Sequence, residues 1–400
     1  MVIVGEPNHA FESAAFHFLI PCGRRHDPVE LAGLASLTCE MTLRGAGSRD
    51  SRAVVNDLEN LGIERGESVG VSQTVLSGAG VAENLTEALP IYADIIRRPT
   101  LPADQLEAGR QVCLQELRGI DDEPGQKLMN ELRKQHYPSP FGLTPQGDEP
   151  GLSTATIEDA AAMHADRYRP DDVILAVAGR FDWQQLCATV EQLFGDWQAS
   201  REVPDPTPAE IVPSTHFPYD SGQCHIGIAL PSIPYRDPRY FQAWGAVGIL
   251  SGGSSSRLFT EVREKRGLCY TVSASLQSQK DRAAVMCYAG TTAERAQETL
   301  DVTIDELHKL RDGVRQEELD RLKARIKSGL IMQQESAGSR AGSLARDWRH
   351  LGFARSLGEV GKIIDEITAE SINTFLQDQA EPEMTIVTLG PEPLELPVND

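Results

Sequence analysis

What this chain lacks narrows its function first. No apolar run in its 400 residues approaches the length of about 18 that a membrane-spanning helix needs. The opening stretch, MVIVGEPNHAFESAAFHFLIPCG, has neither a basic segment nor an uninterrupted apolar one. No secretory signal is therefore expected, and the reading places the chain in the cytoplasm. Cations are in deficit: 38 Lys and Arg stand against 59 Asp and Glu, a net charge of −21. Nucleic acid is bound by clustered cations, so it is not expected as a partner. The seven cysteines (Cys22, Cys39, Cys113, Cys187, Cys224, Cys269 and Cys287) are odd in number, scattered, and contain no Cys-x-x-Cys pair. They read as buried free thiols in a reducing compartment. The stretch GGSSS at 252–256 lacks the Gly-Lys-Ser/Thr that completes a nucleotide P-loop, and no phosphate binding is expected of it.

What is present is an ordinary globular composition, 40% hydrophobic and 24% charged, in a chain long enough for two or more domains. Residues 14–20, AAFHFLI, read as a strand. A turn ending Asp27-Pro28 follows, then apolar residues at helical spacing from Val29 to Leu43, then a Gly/Ser break. After the proline-rich stretch 201–213 the same order returns: CHIGIALP, a turn ending Asp237-Pro238, an apolar helix and GGSSS. Such a repeat, about 200 residues long, is too long for a solenoid and predicts two domains of like fold. The fold class expected is α+β, with antiparallel-rich sheets carrying helices on one face. The domains expected are 1–202 and 217–400, joined by an extended linker at 203–216.

The stretch from Gly252 to Ser275, GGSSSRLFTEVREKRGLCYTVSAS, is the most informative. Leu258, Phe259, Val262 and Arg266 recur at helical spacing, and Gly267 is placed to end that helix. Tyr270, Val272, Ala274 and Leu276 then alternate as in a half-buried strand. The turn between brings a guanidinium, Arg263, and a phenol, Tyr270, to one side of a cleft, where both can donate to a carbonyl oxygen. On composition alone the reading favoured is a surface arginine and an interfacial tyrosine.

SSRLFTEVREKRGLCYTVSAS resembles the C-terminal-half signature of the M16 (pitrilysin/insulinase, mitochondrial processing peptidase) metallopeptidase family. The Arg263 and Tyr270 spacing matches the pair with which that family holds substrate. The resemblance implies two tandem halves forming one side of a clamshell. It also implies a zinc site on the first helix of the N-terminal half, His-x-x-Glu-His, with a third carboxylate ligand further on. Two histidines four apart share a helix face and bind one zinc, and the glutamate between them serves as general base.

Here the equivalent stretch is GLASLTCEMTLRGAG. Aligned on its opening glycine and the following Arg-Gly, Ser36 takes the first histidine position, Cys39 the glutamate and Glu40 the second histidine. In VCLQELRGIDDEP, Glu116 stands where the third ligand belongs. Cys39 and Glu40 are adjacent and point about 100° apart on a helix, so no other metal site is expected from them. Their structural readings are a buried small hydrophobe for Cys39 and a solvated or salt-bridged carboxylate for Glu116. His136 reads as structural, and Arg346, Arg349 and His350 as a solvated face. By resemblance the chain is a non-catalytic, substrate-binding subunit, without cofactor and inactive alone. Its partner is an M16 subunit bearing His-x-x-Glu-His and the zinc, and its substrate a peptide or unfolded polypeptide. The alternatives are a scaffold subunit of the kind found in respiratory complexes, or a self-contained peptidase with an unrecognised metal site.

Overall fold

The structure, a computed structural model, describes residues 1–198, 213–333, 335–380 and 383–397. In the first half, strands β1 (Val2–Pro7) and β2 (Ser13–Ile20) precede helix α1 (Leu34–Thr42). A short hairpin, β3 (Gly45–Ala46) and β4 (Arg49–Asp50), leads to α2 (Ser51–Asn60). Then come β5 (Glu64–Val69), β6 (Thr74–Val81), α3 (Leu85–Arg97), α4 (Leu106–Asp121) and α5 (Pro124–His136). Helices α6 (Glu149–Thr154) and α7 (Ile157–Arg167), strand β7 (Ile174–Gly179) and α8 (Trp183–Phe194) complete it.

The second half opens with β8 (His216–Pro218), β9 (Gln223–Ser232) and α9 (Tyr240–Leu250). Strands β10 (Cys269–Ser278) and β11 (Ala283–Thr292) precede α10 (Ala296–Arg311), α11 (Gln316–Gln333) and α12 (Ala337–Leu351). Helices α13 (Leu357–Glu366) and α14 (Ala369–Asp378) and strand β12 (Thr385–Gly390) follow. No helix among the described residues is long and apolar enough to cross a membrane. The seven cysteines are free thiols.

Each half builds a five-stranded sheet. The strand orders are β1-β7-β2-β6-β5 and β8-β12-β9-β11-β10. In both, the first two strands named pair in parallel and the rest antiparallel. The repeat legible in the sequence is thus a repeat of topology.

The chain forms two compact units, and each takes a segment from the other half of the sequence. One unit comprises Met1–Gly119, Ser139–Glu210 and Gln333–Ala354; the other comprises Ile120–Pro138, Ile211–Met332 and Arg355–Asp400. The exchanged segments carry α12 and α5. In the first unit, alternate residues of β2 face opposite ways. Phe16, Phe18 and Ile20 pack with α1, α3 and α8 in the main core. Ala15 and Leu19, with Ala176 and Ala178 of β7, pack against Ala337, Ala341, Leu344 and Ala345 of α12. The small sheet residues let the helix approach closely. A two-pronged bond from Arg340, which is 4% exposed, to the Glu6 carboxylate at 2.7 and 2.6 Å fixes its orientation. In the second unit, Leu128 and Leu132 of α5 are fully buried over Gly227 of β9. A Cβ there would lie 3.2 Å from Leu132.

The stretch 203–216 lies outside the described residues except for its last four, of which His216 opens β8. The helix expected from Val29 to Leu43 divides in two. A single 3-10 turn, Val29–Leu31, is followed by Gly33 at φ +99°, and α1 begins only at Leu34. A left-handed glycine breaks the helical hydrogen-bond run. The buried start of α1 is capped by buried Asp27, which accepts from the N–H groups of Gly33 at 2.7 Å and Ala35 at 2.9 Å.

Candidate functional site

The site grows from the end of α9. Ser251 Oγ accepts the N–H of Ala274 at 2.7 Å and ties the GGSSS loop to β10. Arg257 then locks the loop to α11: its guanidinium donates twice to Glu318, at 2.9 and 2.8 Å, and to the Gly313 carbonyl at 2.8 Å. Glu318 is 7% exposed. Burial alone pushes its carboxyl up, but these donors hold it at about 2, so the pair stays ionised.

From this anchor runs a short helix whose last six residues, Phe259–Glu264, are wound as a π-helix. Leu258 and Val262 are fully buried and face the core. The wider π turn re-aims outward side chains, a feature frequent at functional sites. Gly267, at φ +61°, turns the chain, and the N–H groups of Gly267 and Leu268 close on the carbonyls of Arg263 and Val262 at 3.0 Å each.

Strand β10 enters at the edge of its sheet. Its register against β11 shifts between Cys269 and Thr271, which leaves Tyr270 on a bulge. A bulge breaks strand alternation and redirects a side chain. Tyr270 is accordingly 82% exposed, while its neighbour Cys269 is buried.

Helix and strand bring the two predicted residues together. The Arg263 guanidinium carbon lies 4.8 Å from the Phe259 ring centre and 5.1 Å from that of Tyr270. Stacking on two rings orients the planar cation without using its N–H donors. The other cations of this segment are committed: Lys265 and Arg266 pair with Glu261 at 2.6 and 2.9 Å. Among the described residues Arg263 has no ion pair. The arrangement is a free guanidinium beside an exposed phenol, both donors. Phe259, the third member, sits one helical turn before Arg263 and was readable only as part of the helix's apolar pattern.

The positions of the lost zinc motif are occupied otherwise. Ser36 Oγ donates to the Pro145 carbonyl at 2.7 Å. Cys39 is 4% exposed, and burial pushes its thiol well above the ordinary range, with Glu67 and other negative groups adding to it. Burial thus favours its neutral thiol, the behaviour of a small buried hydrophobe. Glu40 is ion-paired with Arg44 at 2.7 Å. Glu116, on α4, has its carboxyl pushed up by partial desolvation and then by Glu40 and Glu67. These residues do not fit zinc. Among the described residues no group of three or more His, Cys, Asp or Glu is placed to hold a metal ion.

His136 Nδ1 meets the Thr385 hydroxyl at 2.9 Å, within one unit. The solvated face expected on α12 needs one correction. Arg346 is exposed, but Arg349 is half-buried, and burial lowers its proton affinity while Asp172 raises it.

The comparisons with known proteins agree along the chain. The insulinase (peptidase family M16) model matches residues 2–141, and the peptidase M16 inactive-domain model matches residues 154–326. The chain belongs to the M16 peptidase family. An uncharacterized zinc protease of Mycobacterium tuberculosis is 27% identical over 398 residues, covering 97% of this chain and 91% of its own length. One of Bacillus subtilis is 24% identical, covering 97% and 96%. The crystal structure of a peptidase M16 inactive domain from Pseudomonas fluorescens matches with a TM-score of 0.86 at 25% identity, over 99% of this chain and 96% of that one. Complex III of Candida albicans contains a chain matching at 0.81 and 16% identity, over 97% and 93%, a likeness of fold alone.

Proposed function

We propose that this M16 chain is the non-catalytic, substrate-binding member of a heterodimeric peptidase, facing a subunit that carries His-x-x-Glu-His. The observation that carries this reading is Arg263, stacked between Phe259 and exposed Tyr270 with no counter-ion among the described residues. A cation oriented this way is suited to an oxygen brought by another molecule. Peptide hydrolysis places developing negative charge on the carbonyl oxygen, and fixed donors in a drying cleft stabilise it. Arg263 supplies the charge and Tyr270 a neutral O–H. Zinc held by the partner would supply the Lewis acid and the activated water. Ser36, Cys39, Glu40 and Glu116 hold no metal in this reading, so the isolated chain has no peptidase activity. The clamshell that such a pair would form encloses the peptide between the two subunits.

The second reading is a scaffold of the same fold, favoured by the loss of the metal ligands and by the fold's occurrence in complex III. A scaffold has no use for a free guanidinium and an exposed phenol side by side. Purification from the native host at endogenous level separates the two. The proposal expects a stoichiometric partner with the zinc motif and zinc only on that partner. Recovery as a monomer or self-pair, or with partners lacking that motif, removes it.

A further inference from the structure

We infer that the concave surface between the GGSSS loop and α11 is a binding site for a phosphoryl dianion. A cavity of about 310 Å³ is lined there by Ser254, Ser255 and Ser256, by Gly248 and Gly253, and by Glu318, Arg321 and Arg325 of α11. Glu318, Arg321, Leu322 and Arg325 are spaced three and four apart, so they share one helix face. Leu322 is buried and packs on Gly248, which seats the helix against the loop.

The charges on this face are unbalanced. Glu318 is already consumed: Arg257 grips both its oxygens, and the Arg315 N–H donates to it at 2.9 Å. Arg321 and Arg325 are exposed and have no ion pair among the described residues. In a chain of net charge −21, carboxylates are abundant, yet two arginines one turn apart line the same cavity with no ion pair among the described residues. Like charges at that spacing repel, and an anion between them relieves the repulsion.

The loop is shaped for one of these cations. A Cβ on Gly253 would lie 2.9 Å from Arg325 Nη1, and one on Gly252 would collide with both the Arg325 guanidinium and the Gly248 carbonyl. Two consecutive glycines thus open the space that the guanidinium enters. Beyond it the three serines add hydroxyl donors. Two guanidiniums and a set of O–H groups match a doubly charged, tetrahedral oxyanion better than a carboxylate, which a single arginine satisfies. The missing P-loop lysine argued against phosphate here; the cations arrive instead from α11, sixty-odd residues on. The site does not depend on the peptidase reading.

The dianion is either free orthophosphate or the end group of a phosphomonoester. Calorimetric titration of the full chain at low salt, with inorganic phosphate and separately with glycerol 2-phosphate, distinguishes them. Tighter binding of the ester assigns that source, and equal or weaker binding assigns the free ion. Arg321→Gln and Arg325→Gln should each weaken phosphate binding about tenfold or more. Lys323→Gln removes the same charge from another face of α11, where Lys323 donates to the Asp365 carbonyl, and should leave binding unchanged. All three side chains lie at the surface, and unchanged melting temperatures without phosphate would verify that the variants fold. No saturable binding up to about 10 mM, or equal loss in Lys323→Gln, overturns the site.

Discussion

The guanidinium carbon of Arg263 lies 5.1 Å from the centre of the Tyr270 ring, although the two residues belong to a helix end and a bulged edge strand. Their contact depends on ring and cation, not on the phenolic oxygen. In the isolated chain a double-mutant cycle of Arg263→Ala and Tyr270→Ala should give a coupling of about 0.5–1 kcal/mol, typical of an exposed cation–π pair. Tyr270→Phe should preserve that coupling. Urea unfolding checks both, and zero coupling would mean that the stack does not persist in solution.

The exchanged helices make a second prediction. Leu132 of α5 and Leu344 of α12 each fill a sheet face supplied by the other half of the sequence. Either residue changed to Ala should cost about 2–5 kcal/mol of stability, since a buried leucine leaves a cavity. A chain cut within 203–212 should yield two fragments that co-elute in native size exclusion, because each holds a helix in the other's unit. Separation of the fragments without denaturant would contradict the exchange.

Asp27 predicts a pH effect. It is 3% exposed, and burial pushes its carboxyl up to about 7 despite Arg24 at 3.4 Å and the helix N–H groups that pull it down. The folded protein therefore takes up this proton more readily than the unfolded chain, whose carboxyl titrates near 3.9. Its contribution to stability is fully present below about pH 4 and falls as the pH rises to about 7. Asp27→Asn should flatten that decline when unfolding is followed at several pH values. Asp27→Ala, which leaves the start of α1 uncapped, should cost about 1–3 kcal/mol at any pH. An unaltered pH slope in Asp27→Asn would place the titration elsewhere.

Much of this was legible in the sequence because it is local. The apolar run AAFHFLI read as a strand, which the structure extends by one residue, to Ser13–Ile20. The glycine after a helical period located the turn that carries Arg263 toward Tyr270. What was not legible depends on partners distant in the chain. The apolar stripe of α12 says that one face is buried; nothing in it says that β2 and β7 of the other half bury it. Arg349 reads as a surface cation, and its neighbours Asp172 and Arg25 stand far off in sequence. Arg321 and Arg325 look like any solvated helix face until the GGSSS loop is seen beneath them. Asp27 caps a helix six residues away across a left-handed glycine, beyond the reach of the usual capping pattern.

In the proposed heterodimer Arg263 and Tyr270 act on a peptide carbonyl during cleavage by the zinc-bearing partner. The direct test is steady-state turnover of the isolated heterodimer carrying Tyr270→Phe, which deletes one hydroxyl and keeps the ring that Arg263 stacks on. kcat should fall about a hundredfold or more with little change in KM, the signature of a donor that matters in the transition state. Full kcat at saturating peptide would contradict it.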